Sequence, residues 1–390
     1  MPQENTFSAI ICEFDPLHRG HRLLLDRARA PGVPVFCLMS GNFVQRGAPA
    51  MLDKWARARL ALLNGADLVI ELPLTWACSG AERFAAGGVA LAAAFGKGRL
   101  FFGSEVPDIK LLWRIAETLL SPEFSRALGA CPPGTGFALR RQLAVESLLG
   151  PAAGKALDSP NANLGTEYCK AILMQGAGLE PVAVRREGAG HDSDDAPLSA
   201  SALRRLTLAG ESLAGLAPES TVRALETARK EGLCAHISYL ERPILCRLRG
   251  MSREELSRLP DLSEGLENRL YRAARQACSL EELYALTKSR RVSHARVRRL
   301  ALSAFLGISA PLPENPPYLR VLGATSRGLQ ALGQLRPALP VVARAKDVEA
   351  LPPEAQSVFR QEALAGDLYG LATPAPQPSG RDYTEKLIKL

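Results

Sequence analysis

Phe14-Asp15-Pro16-Leu17-His18-Arg19-Gly20-His21 separates the apolar run 8–13 from an amphipathic stretch, 20–29. The first reads as a strand and the second as a helix, so the eight residues turn the C-terminal end of one into the N-terminus of the other. Ligands of open α/β sheets collect at that edge, and unpaired N–H groups at a helix start favour phosphate there. His18 and His21 are three apart and so share one helix face about a turn apart. Gly20 between them carries no side chain and lets a flat ring approach the backbone. Nucleotidyl transfer fits this arrangement: an oxyanion attacks the α-phosphate of a nucleoside triphosphate while imidazoles and N–H groups stabilise the developing charge. Taken alone, the motif is equally compatible with two surface histidines at a helix start.

Outward from this turn, strand candidates at 8–13, 34–39, 68–72, 100–103 and 181–185 alternate with helical patterns at 20–29, 54–63, 81–94, 110–120, 138–149 and 164–175. Such alternation predicts an α/β fold with a doubly wound, Rossmann-like parallel sheet, and the nearly continuous apolar strands fit a sheet covered on both faces. After about Ser201 the texture changes. Residues 202–306 read as helices carrying basic clusters: Arg204-Arg205, Arg247 and Arg249, then 288–291 followed by Arg296, Arg298 and Arg299. A Pro-rich stretch at 311–317, a last segment near 318–323 and a Pro-rich tail near 374–378 follow. The expected division is a nucleotide-binding catalytic domain over 1–205 and a C-terminal, mostly helical basic domain over 206–390.

Composition sets the class. The chain has 390 residues, 47% hydrophobic and 23% charged, which suits a folded two-domain protein. Eight scattered cysteines show no CxxC spacing, arguing for a reduced compartment without disulfides or zinc. Met1-Pro2-Gln3-Glu4-Asn5 lacks the marks of a signal peptide, and no apolar stretch has membrane-spanning length; a cytoplasmic location is expected. The net charge of +8 is a weak pointer to a polyanionic partner.

Four further runs fall at predicted strand or helix ends. Ser40-Gly41-Asn42-Phe43-Val44-Gln45-Arg46-Gly47 offers Asn42, Gln45 and Arg46 as donors for a polyanion or carboxylate; Lys54 and Arg57 either extend this positive rim or are solvated charges on a helix. Phe101-Phe102-Gly103-Ser104-Glu105 ends a strand where Gly103 permits close approach of a base or ribose, with Ser104 and Glu105 as caps of the next helix. In Ser159-Pro160-Asn161-Ala162-Asn163, Asn161 either reads ribose and base edges or caps a helix. Arg185-Arg186 closes a strand as a candidate triphosphate clamp. Ser199-Ala200-Ser201-Ala202-Leu203-Arg204 places a hydroxyl, N–H groups and a guanidinium on one anion, or holds an N-cap serine and an exposed arginine. His18, His21, Arg46, Ser201 and Arg204 are thus the candidate catalytic residues.

Together with Asp53-Lys54-Trp55, the run Gly65-Ala66-Asp67-Leu68-Val69-Ile70-Glu71-Leu72-Pro73 and Tyr318-Leu319-Arg320-Val321-Leu322-Gly323, these motifs resemble, in order, the tRNA(Met) cytidine acetate ligases, a branch of the HIGH-motif nucleotidyltransferase-like superfamily. The resemblance implies two steps. Acetate attacks ATP to give acetyl-adenylate and pyrophosphate; the N4 amine of the wobble cytidine of elongator tRNA(Met) then takes the acetyl group, leaving N4-acetylcytidine and AMP. It implies an ATP site made of Ile11, Cys12, Glu13, Phe14, Asp15, Pro16, Leu17, His18, Arg19, Gly20, His21, Arg22, Leu23 and Leu24 with Gly103, Asn161 and Arg186, beside Arg185, and Mg²⁺ accompanying ATP. The basic helical region suits RNA backbone contact, although Arg296, Arg298 and Arg299 fit a solvated helix face equally well. Asp15 stands where the family usually has Asn, and would either repel a triphosphate or help hold Mg²⁺. Arg19 replaces a small polar residue, and His191-Asp192 follow Gly190 without the usual tyrosine. A cofactor-making adenylyltransferase, an aminoacyl-tRNA synthetase and a non-enzymatic RNA-binding protein on the same fold are the other readings. The long basic region argues against the first, and the intact histidine pair against the last.

Overall fold

The computed structural model describes residues 7–30, 32–132, 134–186, 199–263, 265–289 and 292–390; His191, Asp192, Arg290 and Arg291 lie outside them. Strands β1 (Ser8–Cys12), β2 (Val35–Ser40), β3 (Phe43–Val44), β4 (Ala48–Pro49), β5 (Leu68–Leu72), β6 (Gly98–Ser104) and β7 (Leu179–Arg185) come from the first half of the chain. Every residue of β1, β2 and β5 is buried, as continuous apolar runs require when helices cover both faces. Between them run α1 (Arg19–Ala28), α2 (Lys54–Leu63), α3 (Leu74–Ala77), α4 (Ala81–Ala93), α5 (Ile109–Leu119), α6 (Pro122–Ala130), α7 (Phe137–Leu149), α8 (Pro151–Asp158) and α9 (Pro160–Gln175). All five strands expected from the sequence are present, and the six expected helices are joined by α3, α6 and α8.

The sheet order β5-β2-β1-β6-β7 is parallel throughout. Because β2 lies on one side of β1 and β6 on the other, the crossovers leave β1 in opposite directions and a crevice opens between β1 and β6 at their C-terminal ends. On one face Ile10 and Cys12 of β1 pack with Leu25 and Ala28 of α1 and Ala58 and Ala61 of α2. On the other, Ile11 packs with Phe84 and Val89 of α4 and Tyr168 and Ile172 of α9.

The second half begins as a stack of helices: α10 (Ala200–Ala209), α11 (Glu219–Lys230), α12 (Glu241–Gly250), α13 (Arg253–Ser257), α14 (Leu266–Gln276), α15 (Leu280–Thr287) and α16 (His294–Leu306). It does not stay helical. Strand β8 (Leu319–Ala324) enters the sheet antiparallel to β5, followed by α17 (Ser326–Leu335), β9 (Val341–Val342), α18 (Pro353–Tyr369), α19 (Arg381–Thr384) and β10 (Ile388–Lys389). Both β9 and β10 pair with β8. The apolar run at 319–324 thereby covers β5, whose free edge would otherwise be exposed.

Two buried clusters run across the boundary expected at 205/206. Phe43, Leu74 and Cys78 are buried with helices α12 to α16, and Met51, Leu52 and Leu60 with Leu203, Leu213 and Leu225. Among the described residues no helix is long and apolar enough to cross a membrane.

Candidate active site

The turn after β1 is sharp: Phe14 sits at φ 49°, a left-handed conformation uncommon for a bulky residue, and the Asp15–Pro16 peptide is cis. The chain then enters α1 with His18 as N-cap. His18 Nδ1 accepts the Gly20 N–H at 3.0 Å, and His21 Nδ1 accepts the His18 N–H at 3.3 Å. The two rings stack with centroids 3.8 Å apart, and Phe14 meets His21 edge-on at 5.2 Å. At Gly20 a Cβ would lie 3.0 Å from the His18 ring, so glycine lets the imidazole fold back over the helix start.

Burial, then the Arg186 guanidinium, holds the His18 imidazole down at about 4. His21 lies well below its ordinary value through burial, His18 and Arg186, against an opposing contact with the Pro16 carbonyl. Both rings are neutral at pH 7. A nitrogen that accepts carries no proton, so each neutral ring holds its proton on Nε2. The motif is thus a pair of uncharged rings over a helix N-terminus, suited to binding charge that develops on phosphate.

Asp15 points elsewhere. Its Oδ1 accepts the Met51 N–H at 2.7 Å, and Arg204 Nη1 reaches both its carbonyl, at 2.6 Å, and its Oδ2, at 3.2 Å. Arg204 Nη2 bonds Ser201 Oγ at 3.1 Å. Asp15 therefore ties the turn to the segment before α2 and to α10, and its carboxylate is committed to these partners instead of a metal or a repelled phosphate. The N-cap of α10 is Ser199, which accepts the Ala202 N–H, while Ser201 lies one residue inside the helix. Arg204 and Ser201 do come together, as expected, but on Asp15.

The run 40–47 forms a β3–β4 hairpin. Its Gln45 N–H donates to Glu13 Oε1 at 2.7 Å, fixing the hairpin to the end of β1. Arg46 is exposed near its tip. A Cβ on the neighbouring Gly47 (φ 77°) would lie 2.8 Å from the Arg299 backbone nitrogen, so this glycine lets the hairpin press against α16. Asn42 is buried and accepts the Lys54 N–H at 2.8 Å; it shapes the hairpin and offers no amide oxygen to a ligand.

Lys54 and Arg57 form neither a positive rim nor a solvated face, because both are buried. Arg57 donates to the carbonyls of Leu52 (3.0 Å), Glu13 (2.6 Å), Ser40 (3.1 Å) and Gly41, clamping the ends of β1 and β2 together. Lys54 Nζ bonds Glu71 at 2.8 Å and also Asp382; Arg320 bonds Asp382 and lies 3.4 Å from Glu71. Glu362, whose Oε1 accepts the Leu74 N–H, is pushed up to about 8 by burial and by Glu71. A protonated Glu362 leaves two cations facing two anions in a dry cluster. Lys54 and Glu71 belong to runs noted in the sequence, but Arg320 and Asp382, which complete the cluster, lie some 250 to 330 residues further along the chain, beyond the reach of spacing arguments.

Across the crevice, Asn161 joins Glu105 to Arg186: its Nδ2 donates to Glu105, and its Oδ1 accepts from Arg186 Nη1 at 3.0 Å. Glu105 also accepts the Ala162 N–H at 3.0 Å, so it caps α9, while the next helix, α5, is capped by Asp108. Asn161 is thus a bridge between two charged groups. A Cβ on Gly103 would lie 3.2 Å from Arg186 Cγ, which allows Arg186 to cross the end of β6. Arg186 is the arginine whose field reaches both histidines; Arg185 is exposed at the end of β7.

Within the helical region, several arginines serve the fold. Arg249 donates to the carbonyls of Ala274 and Ala277, Arg296 to that of Asp261, and half-buried Arg299 lies 3.7 Å from the Asp261 carboxylate. Arg249 thus braces the end of α14, and Arg296 and Arg299 brace the loop between α13 and α14. Arg298 stays partly exposed over Tyr284. Among the described residues no group of three or more His, Cys, Asp or Glu could hold a metal.

Comparison with known proteins agrees with this geometry. The model of the HIGH Nucleotidyl Transferase family matches residues 5–384. A protein of Caldanaerobacter subterraneus subsp. tengcongensis named tRNA(Met) cytidine acetate ligase is 35% identical, covering 98% of this chain and 99% of its own. One of the same name from Thermoanaerobacter pseudethanolicus is 32% identical over the same shares. The crystal structure of Thermotoga maritima TmcAL bound with alpha-thio ATP superposes with a TM-score of 0.90 at 28% identity, covering 99% of this chain and 100% of that one. Its apo form gives 0.92.

Proposed function

Because the chain belongs to the HIGH nucleotidyl transferase family, and within it to the tRNA(Met) cytidine acetate ligases, we propose that the crevice between β1 and β6 activates acetate with ATP and hands the acetyl group to a cytidine of tRNA(Met). The protein is an ATP-dependent ligase. The observation that carries its chemistry is the neutral His18–His21 pair, each ring held through Nδ1 at the N-terminus of α1 and faced by Arg186.

In the first step an acetate oxygen attacks the α-phosphorus and pyrophosphate leaves. His18 and His21, each presenting Nε2–H at the positive end of α1, stabilise charge on the phosphates, and Arg186, aligned by Asn161, attracts the polyphosphate from the other wall. Arg57 acts at a distance by holding the backbone of both loops. Arg204 and Ser201 position Asp15, and with it the turn, and Arg46 stands at the mouth of the site. In the second step the N4 amine of the wobble cytidine attacks the acetyl carbonyl and AMP departs. Mg²⁺ would arrive as a complex with the ATP phosphates, since the Asp15 carboxylate is committed to Met51 and Arg204. Exposed arginines on the helical region, among them Arg242, Arg247 and Arg272, are suited to contact the tRNA backbone. The compartment is the cytoplasm, where ATP and tRNA meet.

Labelled acetate, ATP–Mg²⁺ and unmodified elongator tRNA(Met) should yield labelled N4-acetylcytidine without acetyl-CoA. No transfer, or transfer that requires acetyl-CoA, defeats the reading. His21→Ala should reduce acetate-dependent pyrophosphate–ATP exchange at least about 100-fold.

A further inference from the structure

The two-step reaction leaves a proton to place. When the cytidine N4 amine attacks the acetyl carbonyl of the adenylate, a C–N bond forms and the C–O bond to the AMP phosphate breaks. AMP departs with that electron pair, and N4 must shed a proton. The neutral histidines are committed as acceptors through Nδ1 and present Nε2–H, so they are poised to donate. The carboxylates of the crevice are mostly spoken for: Asp15 by Met51 and Arg204, Glu71 by Lys54, and Glu105 by Asn161 and the start of α9.

Glu13 differs. It is the first residue beyond β1, half-buried at the crevice, and forms no ion pair among the described residues. One of its oxygens accepts the Gln45 N–H at 2.7 Å, which fixes the carboxylate against the hairpin. The side-chain Nε2 of that same Gln45 is buried without a hydrogen-bond partner among the described residues, and an orphaned buried donor calls for an acceptor. Cytosine offers this pair of groups its complement along one edge: N4–H is a donor, as carboxylates prefer, and the adjacent N3 is an acceptor.

We propose that Glu13 and Gln45 receive the Watson–Crick edge of the substrate cytidine, with Gln45 Nε2 donating to N3 and the Glu13 carboxylate accepting N4–H and then its proton. Uridine presents an acceptor at position 4 and a donor at N3, and so mismatches both groups. The proposal rests on the ligase reading above and adds a general base and a base-reading pair to it.

The surroundings of Glu13 make it a stronger proton acceptor than a free carboxylate. Burial raises its carboxyl, while the Gln45 N–H opposes that rise; Asp15 raises it further, and Arg204 and Arg57 lower it. The other titratable groups facing it are Cys12 on β1, Cys78 after α3 and Tyr168 on α9, and burial holds each of these protonated at neutral pH.

The test compares the two half-reactions in wild type, Glu13→Gln, Glu13→Asp and Gln45→Leu. Adenylation is read as acetate-dependent pyrophosphate–ATP exchange without tRNA, and transfer as single-turnover acetylation of tRNA(Met) from preformed adenylate. Glu13→Gln keeps the shape and the bond from Gln45, so it should fold. Its transfer rate should fall about 100- to 10,000-fold more than its exchange rate, with Glu13→Asp recovering part of the loss. Wild-type transfer should slow as pH drops through the Glu13 titration, and that limb should vanish in Glu13→Gln. Gln45→Leu should lower discrimination between tRNA carrying cytidine and tRNA carrying uridine at the target position. Exchange and transfer falling in step, or an acid limb that persists in Glu13→Gln, overturns the proposal. A wild type that acetylates no tRNA defeats the ligase reading itself; an active wild type matched by an equally active Glu13→Gln defeats only the assignment of the base.

Discussion

Two helices begin at the same sheet edge, and their N-termini have been put to opposite uses. At the start of α1 stand two neutral imidazoles and backbone N–H groups, with no cation in the first turn beyond exposed Arg19 and Arg22. At the start of α2 stand Lys54 and Arg57, both buried, where the positive end of the helix dipole disfavours cations. The second arrangement survives because Glu71 and Asp382 face Lys54, Asp53 caps the helix, and four carbonyls accept from Arg57. A helix start becomes a phosphate site when the protein leaves its field unspent. Where the protein fills it with its own ions, it becomes a structural joint.

That contrast can be broken at the α2 end. Lys54→Ala leaves Glu71 and Asp382 buried with only Arg320 to face them, and should cost roughly 3–5 kcal/mol of stability, read as a lower urea midpoint. A midpoint near that of wild type would mean that water enters the cluster and that the joint is not dry.

Acid should separate the two ends by sign. An unfolded histidine titrates near 6.5, whereas His18 in the fold is held down at about 4 by burial and Arg186. Between those values the unfolded chain binds the proton and the native one does not, so stability falls as pH drops through the window, by about 3 kcal/mol at full extent. Glu362 behaves oppositely. It stays protonated up to about 8 while an unfolded glutamate ionises near 4.5, so its contribution is lost as pH rises across that range. Melting curves between pH 4 and 8 should show His18→Asn flattening the acid slope and Glu362→Gln flattening the other. Identical slopes in wild type and His18→Asn would mean that the imidazole is not desolvated.

The smallest effect belongs to Gly20. Alanine would favour a helix by about 1 kcal/mol, but here its Cβ would meet the His18 ring at 3.0 Å. Gly20→Ala should therefore change stability by less than about 1 kcal/mol while weakening ATP binding several-fold, measured by calorimetry. Undiminished binding would show that His18 need not fold over the helix start.

Much of this was legible in the residues. The alternation of apolar runs with amphipathic stretches marks the parallel sheet, and the turn at 14–21 marks its ligand edge, because both signals are local in the chain. What escaped was long-range. Lys54 and Arg57 read as surface charges because helical spacing says nothing of Glu71, Asp382 or the loop carbonyls. Residues 319–324 read as a trailing segment because nothing nearby reveals that β5 needs an antiparallel neighbour. Arg296 and Arg299 read as a basic cluster because their partner, Asp261, lies in the loop between two other helices. Charge counts identify a cation; only packing tells whether it faces a ligand, water or a carbonyl.

The Lys54–Asp382 contact joins positions 328 residues apart, which orders events during synthesis. At about 5–20 residues per second, Asp382 is made on the order of 15–65 s after Lys54. Through that interval the first strands can pair, yet the lysine beneath them lacks one of its two carboxylate partners. The nucleotide-binding half cannot close as a finished unit while the ribosome is still working. Its last structural ion arrives with α19, long after the strands it braces.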